Sequence, residues 1–130
     1  MNYLLDSSAI YTCIRKGDFI KLEGNYTIDL AFYELGNIIW KSSYLHKTLT
    51  SGEKAKLTKL INGVLSLMSI IKTNGVSEGI LKLAEDRGLT YYDASYVFHA
   101  IENNLILVTE DKKLLKKVRG FLKTVSSGEL

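Results

Sequence analysis

Leu105-Ile106-Leu107-Val108, preceded by Asn103-Asn104 and followed by Thr109-Glu110-Asp111, is a continuous apolar run between turn signals. A strand with one wet face alternates apolar and polar side chains. A run that does not alternate reads as a strand buried on both faces, as in parallel sheets covered by helices. The neighbouring chain supplies those helices. Val76 to Arg87 reads as a helix closed by Gly88, and Tyr91 to Glu102 as a second. After the run, Lys112 to Val118 predicts a short helix, Phe121 to Val125 a final edge strand, and Ser126 to Leu130 a frayed tail.

The amino-terminal half repeats the pattern. Tyr3-Leu4-Leu5 is a short apolar run stopped by Asp6-Ser7-Ser8, with Ile10, Cys13 and Ile14 at helical spacing behind it. Tyr26-Thr27-Ile28 predicts a second strand, and Leu30 to about His46 a helix carrying Leu35, Ile38, Ile39 and Trp40. A helix starting at Ser51-Gly52-Glu53 carries the stripe Leu57, Leu60, Ile61, Val64, Leu65, Met68, and Ile70-Ile71 predicts a third strand ended by Asn74-Gly75. Strands alternating with helices imply an α/β sandwich on a mainly parallel sheet, because parallel neighbours need helical crossovers.

A length of 130 residues fits one domain over 1–130, with a core that needs no disulfide. Cys13 is the only cysteine, which excludes an internal disulfide and a cysteine-rich zinc site and suits a reducing cytoplasm. The start, Met1-Asn2-Tyr3-Leu4-Leu5-Asp6, lacks a basic leader followed by a long apolar run, and no stretch reaches the ~20 apolar residues of a spanning helix. The expectation is a protein neither exported nor membrane-embedded. A net charge of +3 is compatible with a polyanionic partner and too small to demonstrate one. The excess is grouped: Lys112, Lys113, Lys116, Lys117, Arg119 and Lys123 late in the chain, and Lys41, Lys47, Lys54, Lys56 and Lys59 in the middle. Either group also reads as a solvated helix face.

In an open parallel sheet, ligands bind beyond the carboxyl ends of the strands. Asp6 and Asp111 both stand there, and both equally suit the N-cap of the helix that follows. Glu34 and Asp93 are less easily explained. Glu34 shares a helix face with Leu30, Ala31 and Ile38, and Asp93 shares one with Leu89, Val97 and Ala100. Burying an ionised carboxylate costs several kcal/mol unless it is paired or holds a metal, so an ion pair with Lys or Arg, exposure at the stripe's edge, or a metal are the choices.

The segments Leu4-Leu5-Asp6-Ser7-Ser8-Ala9-Ile10, Tyr33-Glu34-Leu35-Gly36-Asn37, Tyr92-Asp93-Ala94-Ser95-Tyr96 and Leu107-Val108-Thr109-Glu110-Asp111, in that order, resemble PIN domains, and among them the VapC toxins of VapBC toxin–antitoxin pairs. The resemblance spans residues 2 to about 125, with no family motif between 45 and 75. It implies a three-layer α/β/α sandwich with about five strands, whose edge gathers Asp6, Glu34, Asp93 and Asp111 into an acidic pocket for Mg²⁺ or Mn²⁺. By the same resemblance Ser7, Ser8 and Thr109 support those carboxylates, and turn or capping chemistry explains the three hydroxyls equally well. Glu110 is the alternative to Asp111 should the strand end a residue earlier.

The implied chemistry is metal-assisted hydrolysis of RNA, in which a hard divalent cation neutralises the phosphate and supplies hydroxide. His46 and His99 are not spaced as metal ligands and read as surface or packing residues; Cys13 reads as core, Trp40 as a core or interface anchor. Lys112, Lys113 and Lys116 are the candidates for drawing an RNA backbone to an acidic pocket. Tyr91 is a candidate for stacking on unpaired bases, whereas Tyr92 reads first as core. A homodimer is expected from the 57–68 stripe with Leu67 on its flank, and a cognate antitoxin from the resemblance. A dehalogenase-like phosphatase is excluded by Ser8, where that chemistry needs a second Asp, and a receiver domain by the lack of an acidic pair at the strand end. A catalytically silent PIN module, or a PIN-like nuclease acting on DNA, are the remaining alternatives.

Overall fold

The computed structural model describes residues 2–130. The decisive apolar run becomes β4 (Ile106–Val108), with all three residues buried. It lies between β1 (Tyr3–Leu5) and β5 (Thr124–Val125), and β2 (Tyr26–Ile28) and β3 (Ser69–Ile71) complete a five-stranded sheet of order β3-β2-β1-β4-β5. Every pairing is parallel, with Leu4 opposite Leu107 and Leu5 opposite Val108.

The two-residue period of a strand separates the side chains into two cores. Leu4, Ile28 and Leu107 pack with Ile80, Val97 and Val118 from α4 (Ser77–Arg87), α5 (Tyr91–Glu102) and α6 (Lys112–Val118). Leu5 and Val108 pack with Ile10, Leu35 and Ile61 from α1 (Ser7–Lys16), α2 (Leu30–Trp40) and α3 (Ser51–Leu67). The result is the expected three-layer sandwich. Each fully buried Leu or Ile contributes roughly 1.5–3 kcal/mol, which is why the strands hold without polar pattern of their own. Gly79 on α4 admits close packing, since a Cβ there would meet the Phe98 ring at 2.6 Å.

Four local expectations need correction. The helix from Leu30 keeps α-winding only to Trp40; Lys41–Leu45 is a π-turn in which His46 N donates to Lys41 O at 2.9 Å. Of the two readings of Trp40 the core one falls: it is 46% exposed and stacks on Tyr44 at 5.7 Å. The strand expected over 121–125 is confined to Thr124–Val125, because Phe121 N and Leu122 N still bond Val118 O. The tail is not frayed. Ser127–Glu129 is a 3-10 turn with a Ser126/Glu129 capping box, Ser127 N donates to Glu110 Oε1 at 2.7 Å, and Leu130 packs on the α1–α3 core.

His46 is exposed, while His99 is buried on α5 edge-on to Phe98 with its Nε2 unpartnered. Cys13 is buried as expected. No helix among the described residues is long and apolar enough to cross a membrane.

Candidate active site

β1 and β4 are neighbours, but β1 leads to β2 on one flank and β4 to β5 on the other. At such a switch point the connections diverge and leave a crevice beyond the strand ends. Asp6 follows β1 directly, and Asp6 N donates to Val108 O at 3.0 Å, pinning it to the end of β4. Thr109, buried, and Asp111, exposed, follow β4.

Both aspartates are helix caps. Asp6 Oδ1 accepts from Ala9 N at 3.0 Å, and Asp111 Oδ1 accepts from Lys113 N and Leu114 N. The two amides meet a single oxygen of Asp111, so capping leaves Oδ2 outside the α6 terminus. Capping and site membership are compatible here.

The three hydroxyls lie among the acids and their backbone. Ser8 Oγ donates to Asp6 Oδ1 at 2.6 Å, accepts from Glu110 N at 3.0 Å, and lies 3.4 Å from Thr109 Oγ1. Thr109 Oγ1 in turn accepts from Asp111 N at 3.0 Å. Ser7 Oγ donates to Glu34 Oε1 at 3.1 Å. Glu34 and Asp93 are both half-buried, on α2 and α5. Asp93 sits in the first turn of α5 behind the Thr90 cap, where the helix dipole favours a negative charge.

Neither ion pair of the described residues, Lys21–Asp18 or Lys82–Asp86, includes any of these four acids. Burial, opposed by hydrogen bonds from Ser8, Thr109 and Ala9 and assisted by the Glu34 charge, pushes the Asp6 carboxyl up to about 6. Asp93 is also held above the usual carboxylate range, first by burial and then by the charges of Asp111 and Glu34. The main cause in both is desolvation; repulsion comes next for Asp93 and is the smallest contribution for Asp6. The acids thus act on one another in the series Asp6, Glu34, Asp93, Asp111, although among the described residues no three acidic, His or Cys side chains stand close enough to hold one ion as they are placed.

Two site residues carried no individual role in the sequence reading. Tyr96, buried, donates from its hydroxyl to Glu34 Oε1 at 2.7 Å. Its position one turn after Asp93 was the available signal. Asp29, at the end of β2, accepts from Thr73 Oγ1 at 2.6 Å and from Thr73 N at 3.1 Å. β4 ends at Val108, and Glu110 Oε1 accepts from Ser127 N at 2.7 Å, much as Asp111 Oδ1 accepts from the α6 amides. One expectation fails. Tyr92 is 61% exposed rather than core, while Tyr91 is 37% exposed. Lys112, Lys113 and Lys116 are exposed on α6, behind Asp111.

The PIN domain family model matches residues 3–120, and the chain belongs to that family. It is 36% identical over 122 residues to Exonuclease VapC9 of Pyrobaculum aerophilum, covering 92% of this chain and 88% of that protein. It is 31% identical over 96 residues to Ribonuclease VapC3 of the same organism, covering 71% and 70%. The crystal structure of PAE2754 from Pyrobaculum aerophilum matches with a TM-score of 0.84 at 31% identity, over 99% of this chain and 85% of that one. A toxin–antitoxin complex from Klebsiella pneumoniae matches with a TM-score of 0.69 over 97% and 98%. At 16% identity, that second likeness shows the fold alone.

Proposed function

We propose that this chain is a VapC-type toxin nuclease that hydrolyses RNA phosphodiester bonds internally, using Mg²⁺ or Mn²⁺ held by Asp6, Glu34, Asp93 and Asp111. The observation that carries this reading is a set of carboxylates around the switch point, two of them with raised pKa, none of which forms a salt bridge with Lys or Arg among the described residues. A site that raises its own carboxyl pKa without a counter-ion is destabilised when empty and suits a divalent cation. The donor set fits, being hard oxygen throughout and without His or Cys.

The cation supplies Lewis acidity toward the phosphate and a hydroxide nucleophile. The chain's own residues fix the carboxylates. Tyr96 and Ser7 both hold Oε1 of Glu34, Ser8 ties Asp6 to the β4 loop, and the α6 amides orient Asp111. Lys112, Lys113 and Lys116 draw the RNA backbone toward the acids. The names of the Pyrobaculum relatives support nuclease activity, and the toxin–antitoxin neighbour fits a small protein antitoxin as the partner. The homodimer is part of the same reading: Leu67 beside the α3 stripe is 48% exposed.

Purified protein incubated with end-labelled and internally labelled RNA, and with single-stranded DNA, in Mg²⁺, Mn²⁺ or EDTA tests this. Internal cuts in RNA that vanish in EDTA are expected. Release of single terminal nucleotides makes it an exonuclease instead, preference for DNA changes the substrate, and metal-independent or absent cleavage contradicts the reading.

A further inference from the structure

Between α2 and α5, beyond the carboxyl end of β2, lies a cavity of about 220 Å³ that the acidic site does not use. Tyr33 from α2 and Tyr91 and Tyr92 from α5 form its walls, and Asp29 and Thr73 lie at the strand ends below. We infer that this cavity is a subsite for one unpaired nucleobase of the nucleic-acid strand whose phosphate lies at Glu34 and Asp93. The inference rests on the nuclease reading and names a base-binding element of the same site.

Its walls decide the chemistry. Tyr33 is 72% and Tyr92 61% exposed, so these rings are poorly explained by packing in the folded chain. Leu30 is the cavity's only aliphatic wall, whereas an amphipathic helix seeks an aliphatic groove. Drug-sized ligands occupy roughly 300–1,000 Å³, so this smaller volume suits a single planar ring. Aromatic faces accept any base by stacking.

The floor adds a directional contact. Asp29 Oδ1 already accepts from Leu30 N and Thr73 Oγ1, but Oδ2 accepts only from Thr73 N and has a lone pair left for a base N–H. Placement completes the case. Tyr33 directly precedes Glu34, and Tyr92 directly precedes Asp93. Each tyrosine lies about 1.5 Å along the helix from its neighbouring carboxylate and about 100° around the axis, so the cavity adjoins the acids without sharing their face. A strand crossing the acids therefore has one base beside these rings, and it reaches them only if unpaired.

The test uses a short single-stranded RNA with one 2-aminopurine, bound to the full chain in Ca²⁺, and parallel cleavage assays in Mg²⁺. Expected are quenching of the 2-aminopurine on binding, a loss of about tenfold or more in affinity for Tyr33→Ala and Tyr92→Ala, retention in Tyr92→Phe, and at least tenfold weaker binding of the same sequence as a duplex. Tyr44→Ala, which alters the exposed π-turn instead, behaves as wild type. If Tyr33→Ala and Tyr92→Ala bind and quench like wild type, the subsite is overturned. If they do so and instead lose a co-expressed protein partner, the cavity is a protein-docking surface and the proposal is equally overturned. Tyrosine-dependent quenching with no cleavage by wild type sinks the nuclease reading and leaves the base site standing.

Discussion

The Tyr96 hydroxyl donates to Glu34 Oε1 at 2.7 Å, joining α5 on one face of the sheet to α2 on the other. The bond passes over the sheet's carboxyl edge, where two separate cores have no direct contact through the strands. It orients Glu34 with one oxygen occupied. A hydrogen bond to a charged group contributes about 2 kcal/mol. Tyr96→Phe, which keeps the ring, is expected to lose about that much in urea unfolding and to need more Mg²⁺ for half-maximal cleavage. An unchanged midpoint and unchanged metal requirement assign Tyr96 to packing alone.

Asp6 sets a pH dependence with a definite sign. Its folded carboxyl titrates at about 6 against 3.8 for the unaltered group. Between those values the folded chain keeps a proton that the unfolded chain releases, so stability is present below 3.8 and is lost as pH rises through 6. A shift of about two units corresponds to roughly 3 kcal/mol. Asp29 has the opposite direction: burial opposes ionisation, but the Thr73 hydrogen bonds prevail and lower it. The difference between wild type and Asp6→Asn isolates the Asp6 contribution. In EDTA, wild type should lose stability from pH 4 to 7 relative to Asp6→Asn, which keeps an N-cap oxygen for Ala9 N. Parallel pH profiles of the two proteins contradict the burial of an uncompensated carboxylate.

The carboxyl-terminal latch predicts a stability effect without a catalytic one. Deleting residues 126–130 removes the Ser127–Glu110 bond and the Leu130 packing. A loss of about 2 kcal/mol is expected, with kcat intact. Denaturant melts and cleavage rates of the shortened chain check it, and an unchanged melt returns the tail to a frayed end.

Sequence patterning revealed the layers because the central strands β1 and β4 are short and apolar and β4 is buried throughout, as Leu105–Val108 shows without any structure. The acids were legible for a different reason, as charges on otherwise apolar helix faces or directly after strands. What the sequence hid depends on contacts across long separations. Ser127 N finds Glu110, and Tyr96 finds Glu34, through pairings no periodicity reports. Tyr92 was misread for a related reason: the apolar stripe of α5 continues through Ala94, Val97 and Ala100, but Tyr92 turns to the cavity side. The π-turn at Lys41–Leu45 changes winding within an unbroken helical pattern, so spacing alone cannot mark it.

The exposed Leu67 beside the α3 stripe predicts association of two copies through that helix. Light scattering at tens of micromolar should give twice the monomer mass, and Leu67→Lys should return it to monomer. A wild-type monomer at that concentration rules out the dimer.

The most direct test is a set of thermal melts of wild type, Asp6→Asn, Glu34→Gln, Asp93→Asn and Asp111→Asn in EDTA and in Mn²⁺, with RNA cleavage measured on the same samples. Binding to the folded state alone raises Tm as the metal exceeds its dissociation constant. The account predicts that Mn²⁺ stabilises wild type, that the variants lose most of that gain together with cleavage, and that in EDTA Asp6→Asn and Asp93→Asn melt no lower than wild type. Variants uniformly destabilised in EDTA, unshifted by Mn²⁺ and still able to cut RNA contradict a metal site made of these four acids.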